Sequence, residues 1–64
     1  MQKGFTMDFE QKVAKFAQLC LDHVAAGDTV EELIEERDEA LESGSLAEDS
    51  FAIQGYNRAI VELQ

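Results

Sequence analysis

Apolar residues recur at steps of three and four along most of this chain, and the pattern breaks chiefly at Gly27 and Gly44. That periodicity belongs to helices that bury one side. No proline occurs anywhere, so glycines and the short polar residues beside them supply the punctuation. Three helices with short connections are the natural outcome. Short connections favour antiparallel neighbours, which gives an all-α, three-helix, up-down-up domain.

The first helix is expected to open at Asp8, whose carboxylate can cap the backbone while Gln11 reaches back from three positions on. Its apolar stripe is Phe9, Val13, Phe16, Ala17, Cys20 and Val24, with Gln11, Lys15, Gln18 and Asp22 opposite. Gly27 closes it in the left-handed conformation that glycine tolerates. The second helix starts at Asp28 or Thr29, because Glu31 or Glu32 stands at the capping-box distance in either register, and it ends at Gly44. Val30, Leu33, Ile34, Ala40 and Leu41 form its stripe. Ser45 with Glu48 offers a third capping box, and the last helix runs from there to the carboxyl end. Its main face is Leu46, Ile53, Tyr56, Ile60 and Leu63.

That last helix has more apolar surface than one neighbour needs. Phe51 falls on the opposite side, and Ala52, Gly55 and Ala59 make a lane of small residues that lets another backbone come close. In so short a chain the second neighbour is expected to be another copy, so Phe51, Ala52, Gly55 and Ala59 are read as an oligomer interface. A kink at Gly55 that turns Phe51 inward is the intramolecular alternative. Size points the same way. A chain of 64 residues covers only about 60% of the surface it exposes when unfolded. The single Cys20 cannot form an internal disulfide, and no metal-ligand cluster is there to replace one, which leaves a homodimer as the expectation. Residues 1–6 lack a helical pattern and read as a flexible tail, with Phe5 able to fold back and Met7 as a second candidate start. Residues 7–64 make the one domain.

The net charge of −9 arises between Asp28 and Asp49, where ten acids face Arg37 alone; elsewhere four cations balance four acids. Such a chain is a poor direct ligand for nucleic acid or anionic lipid, whose binding rests on Lys and Arg. No apolar run approaches the roughly 20 residues of a membrane span, and the start lacks the features of a secretory signal. With one lone cysteine, a reducing cytoplasm is expected. The partner that suits the charge is a basic protein surface.

Within the second helix Glu31, Glu35, Asp38 and Glu42 align as one row and Glu32, Glu36 and Glu39 as another, so like charges meet at helical spacing at a cost of roughly 0.2 to 0.5 kcal/mol per pair. These seven acids span about 18 Å of helix, one per about 2.6 Å. A DNA duplex carries one per about 1.7 Å, so mimicry of a nucleic-acid backbone is physically open. Arg37 sits in the apolar arc, where its stem can pack while the guanidinium snorkels to nearby acids. A partly buried pair with Asp49 or Glu62 is the sharper alternative.

Other chemistry is thin. His23 suits the negative end of the first helix and lacks the ligand set of a zinc site. Cys20 reads as a small buried apolar residue with no activating base, and the serines have no histidine partner. Carboxylates in open water lack the apolar setting that acid and base catalysis needs. No enzyme activity, cofactor or metal is expected. The reading is a small acidic helical module, an adaptor or inhibitor that docks Glu31, Glu32, Glu35, Glu36, Asp38, Glu39 and Glu42 on a basic partner, including a nucleic-acid-binding protein that takes it for nucleic acid. The alternative is a structural homo-oligomer whose acids only keep it soluble.

Overall fold

The computed structural model describes residues 8–64; the tail, Phe5 and the Met7 start lie outside them. Helix α1 spans Phe9–Ala25, α2 Val30–Ser43 and α3 Phe51–Leu63, an all-α domain with no strand among the described residues.

Local capping sets these boundaries. Asp8 accepts from the Gln11 amide at 2.9 Å and Gln11 Oε1 accepts from the Asp8 amide at 3.1 Å, the expected reciprocal box. Gly27 ends α1 with φ 131°, a backbone that side chains rarely adopt, while Ala26 before it stays right-handed. The register of α2 falls on Thr29, whose hydroxyl takes the Glu32 amide. Gly44 closes it in the left-handed conformation at φ 79°.

The last helix starts later than the Ser45–Glu48 pattern predicts. Ser45 Oγ lies 2.8 Å from Ser43 Oγ and is engaged there. The chain instead turns through residues 45–49, and Ser50 caps α3 by accepting from the Ile53 amide at 3.3 Å. With Ile53 at the third position, no carboxylate can complete a capping box, so this start carries a weaker signal than Ser45 with Glu48.

Helix α3 is the hub. It packs closely on α1 and more lightly on α2, while α1 and α2 hardly meet. Val13, Ala17 and Cys20 of α1, Leu33 of α2, and Ala52, Ile53, Ala59 and Ile60 of α3 form the buried core. Phe9, first in its helix, stays half exposed.

The lane of small residues is taken up inside the chain, which corrects its reading as an oligomer surface. Ala52, Gly55 and Ala59 are all buried, with α1 lying across them. A Cβ on Gly55 would stand 2.7 Å from Phe16 Cδ2, 2.9 Å from Phe16 Cβ and 3.2 Å from the Ala17 nitrogen. Glycine is what lets the two backbones approach. The Phe16 ring is held edge-on by Tyr56 at 5.0 Å and by Phe51 at 6.3 Å. Phe51 therefore packs on one side and remains 40% exposed on the other, with Lys12 Nζ 5.8 Å above its ring.

Candidate partner-binding face and the groove beside it

All seven acids of α2 are exposed. The two rows lie about 100° apart round the helix and flank its apolar arc. Three of the seven are engaged locally. Glu32 Oε1 accepts from the Thr29 amide at 3.4 Å, Glu36 Oε1 accepts from the Tyr56 hydroxyl at 3.2 Å, and Asp38 Oδ1 accepts from Nε and Nη2 of Arg37, both at 3.1 Å. Glu31, Glu35, Glu39 and Glu42 have no cation within ion-pair distance among the described residues.

Arg37 is only 26% exposed through its side chain, and its Nη1 donates to Asn57 Oδ1 of α3 at 2.8 Å. Neither Asp49 nor Glu62 receives it. The stem lies in the apolar arc, and the neutral amide of Asn57 takes the inner edge of the guanidinium while Asp38 takes the outer. Asn57 was not legible as this partner, since a charge in an apolar arc directs attention to carboxylates.

Two other charged-group contacts among the described residues lie elsewhere. Arg58 Nη2 meets Glu10 Oε2 at 2.6 Å, tying α3 to α1, and His23 Nδ1 lies 3.5 Å from Asp28 Oδ2. No group of three or more residues able to hold a metal ion occurs among the described residues. Among them, too, no helix is long and apolar enough to cross a membrane.

Because α1 and α2 hardly meet, a groove of about 260 Å³ runs between them above Tyr56. Its floor is apolar, made by Phe16, Leu19 and Cys20 from α1, Leu33 from α2 and Tyr56 from α3. Its rim is polar and mostly acidic: His23 on one side, Asp28, Glu32 and Glu36 on the other. Leu19 is 49% exposed in it. Sequence reasoning passed over Leu19 because it lies off the main stripe of α1; an apolar residue one turn from Phe16 on a polar flank was the available signal.

Titration properties follow from this setting. Burial, with the Glu36 charge adding to it, pushes the Cys20 thiol up from its ordinary value. The thiol stays protonated, opposite to an activated nucleophile. Tyr56 is pushed up to about 12, first by burial and then by its hydrogen bond to Glu36. A second apolar depression is lined by Lys12, Lys15, Phe16, Leu19 and Phe51, so the exposed apolar surface continues along α1 from the groove. Comparison with protein-family models, curated proteins and solved structures finds no match to this chain.

Proposed function

We propose that this protein is an acidic helical binding module, an adaptor or inhibitor that docks α2 on a basic surface of a partner protein. The observation that carries the reading is the unneutralised set Glu31, Glu35 and Glu42, exposed on a helix whose one cation is held by Asp38 and by Asn57 of α3. A face of this kind attracts Lys- and Arg-rich surfaces and speeds their encounter. Nucleic-acid-binding proteins are one class that presents such a surface, and the spacing of the acids suits mimicry of a phosphate backbone. Asp38 contributes less than its neighbours, because it already holds Arg37.

The test is capture from a lysate on the immobilised chain, beside a Glu35→Lys/Glu42→Lys variant whose helicity is checked by circular dichroism. A protein held only by the unmodified chain and released by salt supports the reading. Equal retention by both forms, or none by either, overturns it. A second reading, a homo-oligomer with a solubilising acidic face, draws on the exposed Leu19 and Phe51. It requires sedimentation that depends on protein concentration and is unaffected by the charge reversals.

A further inference from the structure

The groove between α1 and α2 joins an apolar floor to an acidic rim, a pairing that neither a solubilising face nor a flat electrostatic surface needs. Along α1 it runs from Phe16 to His23, about two helical turns. A groove of about 260 Å³ has room for side chains and not for a bulkier body, which would ride on the rim. There it meets Asp28, Glu32 and Glu36 against the single imidazole of His23. We propose that this groove receives an amphipathic helix of a partner protein, which inserts apolar side chains between Leu19 and Leu33 and sets Lys or Arg against Asp28, Glu32 and Glu36. The inference rests on the binding-module reading and names the partner's chemistry; it is helix-in-groove recognition with an added charge match. Anionic lipid is repelled by the same rim. A second copy brings net charge −9 with it, which opposes its docking at low salt.

The probe is a fluorescent Leu/Lys peptide of about 18 residues, long enough to hold a helix, with leucines on one face. Comparison peptides have the same composition in scrambled order, and Glu in place of Lys. Anisotropy with the full chain is expected to show the ordered peptide binding at least about ten-fold tighter than the scrambled one, and the Glu peptide not at all. Leu19→Ser, at an exposed position, should weaken binding about ten-fold. Glu32→Gln/Glu36→Gln, which keeps the cap and the Tyr56 acceptor, should weaken it similarly and flatten its salt dependence. Amide shifts on titration should centre on Phe16, Leu19, Cys20, His23 and Leu33.

Equal binding of ordered and scrambled peptides overturns the proposal, as do shifts confined to the Glu31, Glu35 and Glu42 row. Groove shifts that grow with protein concentration in the absence of peptide assign the groove to a second copy and also overturn it. Failure here is separable from failure of the wider reading. The Glu35→Lys/Glu42→Lys variant should bind the peptide within about two-fold of the unmodified chain, while losing any partner held on Glu31, Glu35 and Glu42.

Discussion

Replacing Gly55 by alanine sets two effects of opposite sign against each other, and the geometry decides between them. In a helix interior alanine is favoured over glycine by about 1 kcal/mol, so an open site would be stabilised. This site is closed. The added methyl would lie 2.7 and 2.9 Å from two Phe16 carbons and 3.2 Å from the backbone of Ala17. The Phe16 ring cannot simply swing aside, since Tyr56 and Phe51 hold its edges. Helix α1 must then lift from α3, loosening contacts at Ala17, Ala52 and Ala59. Overpacking costs about 1–3 kcal/mol, and with two contacts under 3.0 Å and one to backbone the upper end applies. The net loss is about 2 kcal/mol, or about 8–16 °C in Tm for a domain of this size. Thermal melts followed by far-ultraviolet circular dichroism measure it, with Gln54→Gly on the exposed side of α3 as the reference for propensity alone, about 4–8 °C lower. A Tm for Gly55→Ala at or above that of the unmodified chain would refute the packing argument. A loss that vanished on dilution would instead place the small-residue lane between copies.

Tyr56 is the sole tyrosine, so its ionisation can be followed directly by tyrosinate absorbance, and the midpoint is expected near 12. Because the folded value lies above the unfolded one, near 10, the associated stability is complete below about pH 10 and is lost as pH rises through the folded value. Glu36→Gln should lower the midpoint, by removing a charge and weakening the acceptor; an unchanged midpoint would show that the Glu36 contact is not formed in solution. Thr29→Ala removes the cap of α2 and should cost about 1 kcal/mol. Native-state hydrogen exchange should then quicken about five-fold at α2 amides with α1 and α3 little changed, whereas uniform quickening would show that α2 opens only with the whole domain.

The helices were legible wherever the chain makes its own local case. Asp8 with Gln11 and the stop at Gly44 are decisions among near neighbours, and the sequence carries both partners; at the start of α2 it offered Asp28 with Glu31 and Thr29 with Glu32 alike, and the structure takes the second. The start of α3 was not, because Ser45 with Glu48 offers the fuller capping box and Ser50 only a hydroxyl; the choice turns on a contact with Ser43 and on the packing of the helix that follows. The small residues of α3 were recognised as a surface for close approach, but which helix approaches is a tertiary matter, settled when Phe16 lies over Gly55. Arg37 was visible as an anomaly and its partner was not, since Asn57 lies twenty residues away on another helix. The acidic rows follow from helical spacing alone. The groove beside them exists only because α1 and α2 meet so little, which no pattern within either helix can express.

Helix α2 is the element with the weakest claim on its own structure. It contributes only Leu33 to the buried core, its rows place like charges one turn apart, and no basic residue stands in its last turn to meet the dipole. Placing Arg37 on either row would have relieved part of that repulsion through pairs at three- and four-residue spacing. Instead it sits between Asn57 and Asp38 in the apolar arc, while Lys12 lies over Phe51 and Arg58 is tied to Glu10. Glu31, Glu35 and Glu42, which share a row with Asp38, are left without a cation among the described residues. Repulsion retained in the free chain is relieved when an external set of cations arrives, so a basic partner stabilises the helix it binds, and the charges that weaken α2 also accelerate the encounter. Solubility alone would be served equally well by acids distributed over all three helices; concentrating them on the least anchored one couples binding to the order of α2, and that coupling is what the binding-module reading needs.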